Sequence, residues 1–173
     1  MTHQGEVPSV NFWSLSDKKD TSKFCCGEKA VNDFFRKDAW KFHKRTSHRV
    51  TCTSVANSDG VAGFYSLASV TEEIRKLPGN YARLGQSGEF PCLQLAWMGV
   101  QRPLQKSNIG IAMLGKIVST FAKVGEQIGL PHLIVFPINE DVKRFYKKMD
   151  FEEYDGGTKM FLSLQIARDA VRE

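Results

Sequence analysis

The stretch Gln105-Lys106-Ser107-Asn108-Ile109-Gly110-Ile111-Ala112 stands between an apolar run, Cys92–Val100, and a segment, Ile109–Ile128, whose Leu114, Ile117, Val118, Phe121 and Ile128 recur at helical intervals. The order is strand, loop, helix. Small and turn-forming residues let the backbone curl at this point. Amide N–H groups left unpaired at the helix N-terminus then face one small volume, with the positive end of the helix dipole behind them. Such a turn suits a diphosphate. The same residues also suit a plain connection capped by Asn108, and local pattern does not choose between the two.

Working outward, Gly129 closes the helix, His132–Phe136 reads as a second buried strand and Glu140–Met149 as a short helix. Phe151–Tyr154 and Met160–Leu164 read as final strands, and Gln165–Glu173 as a short helix or a frayed tail. Toward the N-terminus, Arg49–Ala56 and Val61–Ser69 flank Asn57-Ser58-Asp59-Gly60 and predict a β-hairpin. Between Glu28 and His43, Val31, Phe34, Phe35, Ala39 and Phe42 form an apolar helical stripe, with Lys37, Lys41 and Lys44 on another face. Thr71–Phe90 mixes Pro78, Gly79, Gly85 and Gly88 with charge and reads as a mobile loop near a site. The alternation of strands and helices predicts an α/β sheet with helices packed on it.

At 173 residues, 42% hydrophobic and 25% charged, the chain can bury a core without disulfide staples, and residues 1–173 are expected to form a single domain. The formal charge of +5 favours polyanionic partners such as RNA or a phosphorylated cofactor. Cys25, Cys26, Cys52 and Cys92 lack C-x-x-C spacing and read as reduced, structural thiols. His3, His43, His48 and His132 lack a metal-ligand pattern and no serine or cysteine sits in a recognisable nucleophile motif, so neither a metal nor a covalent acyl-enzyme is expected. No apolar run approaches the roughly 18 residues of a membrane span, and the N-terminus has no signal-like pattern. The expected location is the cytoplasm.

The loop resembles the acyl-CoA diphosphate loop of the GCN5-related N-acetyltransferases (GNAT), Q/R-x-x-G-x-G/A. Gln105 and Gly110 match its ends, and Asn108 stands for the first glycine. Asn visits the left-handed region more readily than most residues. Asn139 to Phe151 is similar to the family's N-x-x-A-x-x-x-Y-x-x-x-G-F signature: Asn139, Tyr146 and Phe151 match, while Val142 and Asp150 replace Ala and Gly. Phe24-Cys25-Cys26-Gly27 with Val31-Asn32-Asp33-Phe34-Phe35 resembles the opening of TacT-type toxin acetyltransferases. Gly63-Phe64-Tyr65-Ser66-Leu67 and Leu95-Ala96-Trp97-Met98-Gly99-Val100 are similar to two strands of that subgroup.

The resemblance implies a GNAT fold, a central mixed, mostly antiparallel twisted sheet flanked by helices, with acetyl-CoA as co-substrate. It implies acetyl transfer to the α-amine of aminoacyl-tRNA, a toxin-like block of translation, a ribbon-helix-helix antitoxin as partner, and room for a homodimer. Its CoA contacts would be Trp97, Met98, Gly99 and Val100 on the strand, then Gln105, Lys106, Ser107, Asn108, Ile109, Gly110 and Ile111, with Asn139 and Phe145. Tyr146 would be the general acid for the leaving thiolate; unaided by the resemblance, a Tyr beside a Phe on a helix is more often a core residue.

No acidic residue occurs from Cys92 to Gln101, where lysine acetyltransferases often carry a glutamate. An α-amine of pKa about 7.7–8.0 needs a base far less than a lysine of about 10.4, so an α-amine acceptor is favoured. Glu72 and Glu73 remain as bases or water relays, or as solvated loop charges. For RNA the candidates are Arg36, Lys37, Lys41, Lys44, Arg45 and Arg49, joined by His43 and His48, with Trp40 to stack. Lys143 and Lys147, with Arg144 and Lys148, add charge beside Tyr146. A charge run is also the ordinary dress of a solvated face. The alternatives are a GNAT enzyme acetylating a small amine, a protein N-terminus or a lysine, and a module that binds CoA or RNA without turnover.

Overall fold

The structure is a computed structural model and describes residues 7–58, 60–73 and 88–172. Seven strands form one sheet in the order β1-β2-β3-β4-β5-β7-β6. They are β1 (Val10–Ser14), β2 (Arg49–Val55), β3 (Gly63–Glu73), β4 (Glu89–Val100), β5 (His132–Val135), β6 (Glu152–Tyr154) and β7 (Lys159–Ser163). β1–β2, β2–β3, β5–β7 and β6–β7 pair antiparallel, and β4–β5 pairs parallel. The helices are α1 (Lys29–Asp33), α2 (Ala39–Lys44), α3 (Ile109–Ile128), α4 (Glu140–Lys147) and α5 (Leu164–Arg172).

Two compact units result, each drawn from two stretches of chain: Met1–Ala68 with Ala96–Ile117, and Ser69–Leu95 with Val118–Glu173. Aromatic packing dominates the first. Phe35 stacks on Phe64 at 3.9 Å, Phe24 meets both rings edge-on at 5.0 and 5.1 Å, and Trp97 stacks on Phe34 at 4.7 Å. In the second, Phe90, Cys92, Ile134, Tyr154 and Phe161 form a buried cluster. His132, itself fully buried, touches the rings of Phe90 and Phe161 at 5.2 and 5.0 Å.

Two expectations change. The helix over 28–43 is broken: a π turn, Phe34–Asp38, separates α1 from α2. Phe35, Ala39 and His43, four apart, are buried, whereas Phe42 is only half-buried, because the wide turn shifts the buried face. Of the loop expected over Thr71–Phe90, β3 continues to Glu73 and β4 starts at Glu89, while 74–87 lie outside the described residues. β1 has no counterpart in the sequence reading; it is short and is specified by its register with β2, Val10↔Val55 through Ser14↔Thr51. The C-terminal stretch is the helix α5, with Ala167 buried.

Candidate active site

β4 delivers the chain to the turn through Gly99, where a Cβ would meet Val31 Cγ1 at 2.9 Å, Phe24 Cζ at 3.1 Å and Phe64 Cε1 at 3.2 Å. Only glycine fits that crowded position. Trp97 and Met98 are half-buried and the Trp97 ring is taken up by Phe34, which leaves the strand's backbone rather than its side chains for a ligand. A 3₁₀ turn at Arg102–Leu104 follows, and then Lys106 and Asn108 adopt left-handed backbone, φ 65° and 62°. Asn108 thus holds a conformation that glycine takes most readily and Asn more readily than most other residues.

Lys106 and Ser107 are exposed, and the Ser107 hydroxyl donates to the Leu104 carbonyl. Gln105 is exposed as well, but its amide folds back on the chain, donating to the carbonyls of Cys26 (2.6 Å) and Val100 (3.1 Å), and staples the turn. α3 begins at Ile109, which is buried; Gly110 is half-buried and Ile111 exposed, and the first turn carries no acidic side chain. A long helix entered through a basic, acid-free turn fits a diphosphate.

In the second unit, Asn139 caps α4 by accepting the Val142 N–H at 2.9 Å, so its carbonyl oxygen serves the helix. Tyr146 is buried between the rings of Phe145, 5.4 Å, and Phe151, 5.2 Å. Its hydroxyl has no hydrogen bond among the described residues, and burial pushes the phenol well above the ordinary tyrosine range, which keeps it protonated. Asp150, in the place of the signature's glycine, is left-handed at φ 64°, and Phe151 N–H closes the helix end on the Tyr146 carbonyl at 3.1 Å. Both residues that stand for glycine in the two motifs therefore adopt left-handed backbone, which glycine takes at no steric cost.

The basic candidates divide. Lys37, Lys41, Lys44, Arg45 and Arg49 are exposed, Lys37 paired with Asp33 at 2.9 Å. Arg36 is half-buried and its Nε donates to the Phe24 carbonyl at 2.7 Å. The histidines leave the stripe. His43 is buried, its Nδ1 accepts the Val50 N–H at 3.0 Å, and burial lowers its pKa, as it does for half-buried His48. Trp40 packs against the core cluster. On α4, Lys143 pairs with Glu140 and Glu153, Lys147 with Glu153 and Arg144 with Asp141, so much of that charge is answered locally.

Glu72 is not a solvated loop charge. It is buried on β3 and accepts from Tyr154 Oη at 2.9 Å and Lys159 Nζ at 2.8 Å. Burial alone would raise its pKa, but these hydrogen bonds outweigh that and hold it below the usual value. The sequence carried no sign of this, because its partners lie more than eighty residues away. None of the four cysteines is in a disulfide, and of the four Cys25 alone is exposed. Among the described residues no His, Cys, Asp and Glu side chains cluster as a metal site, and no helix is long and apolar enough to cross a membrane.

No protein-family model matches the chain. A tRNA-acetylating toxin of Mycobacterium tuberculosis is 28% identical over 138 residues, 80% of this chain and 81% of that protein. A probable toxin TacT of Sinorhizobium fredii is 26% identical over 115 residues, 66% of this chain and 64% of its own. A Tyr-to-Phe mutant of KacT superposes with a TM-score of 0.85 at 17% identity, over 92% of this chain and 98% of that one. The chain has the GNAT fold of toxin acetyltransferases. AtaT complexed with acetyl-methionyl-tRNAfMet superposes at 0.81 with 21% identity, over 91% and 96% of the two chains. A Tyr-to-Phe AtaT mutant bound to the C-terminus of the antitoxin AtaR and acetyl-CoA superposes at 0.78 with 18% identity, over 95% and 99%. Within this GNAT fold the expected mixed, mostly antiparallel sheet is the one observed, and the strand–turn–helix at Cys92–Ile128 is its β4–α3 unit.

Proposed function

We propose that the protein is an acetyl-CoA-dependent N-acetyltransferase that acetylates the α-amine of aminoacyl-tRNA, and that it is the toxin of a toxin–antitoxin pair. The observation that carries this reading is the Gln105–Gly110 turn, with Asn108 left-handed in the place of glycine at the head of α3, in a chain whose relatives include a tRNA-acetylating toxin. Gln105 to Ile111 would hold the diphosphate, chiefly through backbone N–H groups and the charge of Lys106. Bound there, acetyl-CoA supplies an activated acetyl carbon, to which the amine nitrogen bonds as the carbon–sulfur bond breaks.

The chain's own residues do the rest. β4 runs on to Val100 beyond its last parallel pair, Leu95↔Val135, and the backbone of Trp97–Val100 offers donors to the pantetheine and the thioester oxygen. The phenol of Tyr146 gives its proton to the departing sulfur and recovers one as the acylated nitrogen sheds its own to solvent. Glu89, the acidic residue of β4, sits at the strand's start, and Glu72 is engaged by Lys159 and Tyr154. An acceptor that is already largely neutral suits a site so poor in carboxylates.

Lys41, Lys44, Arg45 and Arg49, exposed together at the end of α2 and the start of β2, supply the phosphate contacts for tRNA. Lys143 and Lys147 contribute less, since acidic neighbours hold them. An antitoxin like the partner of AtaT is expected to bind this protein, and the cytoplasm, where charged tRNA resides, is the place of work. Incubation with labelled acetyl-CoA and total charged tRNA tests the reading. Label on the α-amine of one or a few aminoacyl ends is the expected result; turnover with polyamines or peptides but none with charged tRNA would replace it with a small-amine or protein acceptor.

A further inference from the structure

We propose that Asn32 and Gln101 are positioning residues for the diphosphate turn, acting through a two-residue platform, Cys25-Cys26, to which that turn is fastened. The inference rests on the reading that Gln105–Gly110 grips the diphosphate of acetyl-CoA. Cys25 donates its N–H to Gln101 Oε1 at 2.9 Å and accepts the Arg102 N–H on its carbonyl at 2.9 Å. Cys26 donates its N–H to Asn32 Oδ1 at 2.8 Å and accepts the Gln105 amide on its carbonyl at 2.6 Å. Both residues are therefore held at N–H and C=O. One step upstream, the Phe24 carbonyl is held by Arg36 at 2.7 Å.

These bonds fall on the chain immediately before Lys106 and Asn108, the two left-handed non-glycine residues of the turn. Such conformations persist only where the surroundings over-determine them. A family loop with glycine at the Asn108 position would need less support; this chain replaces that freedom with anchorage. Asn32 is the keystone of the platform, because Cys26 is buried and its N–H has the Asn32 oxygen, at 2.8 Å, as its partner.

The test uses the full chain and two probes: CoA, titrated calorimetrically without tRNA, and acetyl-pantetheine, a thioester lacking the diphosphate, compared with acetyl-CoA in transfer to charged tRNA. Asn32→Ala is expected to weaken CoA binding about tenfold, one lost buried hydrogen bond. Asn32→Asp, which keeps the acceptor oxygen, should recover most of that affinity. Acetyl-pantetheine use should be the same in all three proteins. Adding Asn108→Gly to Asn32→Ala should restore at least half of the lost affinity on a logarithmic scale, because glycine adopts the left-handed turn unaided. If Asn32→Ala does not fold, Gln101→Leu is read in its place, with the same direction expected. CoA binding undiminished in these variants, or acetyl-pantetheine use falling in step with acetyl-CoA use, would overturn the platform. A parent protein that uses acetyl-pantetheine as well as acetyl-CoA would instead defeat the reading of the turn itself, and the platform's role with it.

Discussion

Tyr146 has two faces in this chain: a buried ring wedged between Phe145 and Phe151, as in any core, and a hydroxyl to which no described residue bonds. Removing only the hydroxyl separates them. Tyr146→Phe should leave the melting temperature and acetyl-CoA binding near the parent values while turnover falls roughly 10²- to 10⁴-fold, and single-turnover kinetics at saturating acetyl-CoA would measure it. Since burial raises the phenol's pKa, no alkaline loss of rate from its ionisation is expected near pH 10, where an exposed tyrosine would fail. His132 behaves in the opposite sense. Burial holds it down at about 4 from 6.5, so it is neutral in the fold, and the unfolded chain takes up its proton first as pH drops. Stability should therefore decline between pH 6.5 and about 4, by up to roughly 3 kcal/mol from this residue, and urea midpoints of His132→Leu should show a shallower acid limb. At this scale the departure at Asn108 was readable, because Asn tolerates the left-handed region and adopts it here; that Asp150 takes the same conformation emerged only in the fold.

Elements carry the next set of constraints. A Cβ on Gly63 would lie 2.8 Å from Met113 Sδ and 2.9 Å from the Gly99 carbonyl, a backbone atom that cannot swing away. Gly63→Ala should cost about 1–3 kcal/mol in denaturant unfolding, and an unchanged midpoint would mean that β3 shifts more freely than its packing implies. Glu72 ties β3 to β6 and β7 through Tyr154 and Lys159, all within one compact unit. Glu72→Gln leaves the largely buried Lys159 ammonium with the more distant Asp155 carboxylate, at 3.6 Å, as its counter-charge and should destabilise by roughly 2 kcal/mol, whereas the double change with Lys159→Met should recover most of that loss. Helix α3 was legible end to end because its apolar period is sustained over twenty residues. The π turn and β1 were not, since a one-residue widening and a five-residue edge strand leave too little pattern.

Over the whole molecule, the basic residues considered for RNA divide into an exposed group at α2–β2 and one on α4 whose lysines are paired with carboxylates. Reversing Lys41 and Arg45 to Glu should weaken use of charged tRNA and flatten its salt dependence while CoA affinity stays; the same reversal at Lys143 and Lys147 should change tRNA use far less. Comparing the slopes of log kcat/KM against log salt for the two double variants decides the matter. The amino-acid order alone determined the strand–turn–helix unit, the basic excess and the two motifs, because periodicity, turn chemistry and composition are local properties. Which charges stay in water, which histidines lose theirs, and that Glu72 is buried against Lys159 were decided only in the folded chain. Burial and pairing depend on partners dozens of residues distant, and no local pattern encodes them.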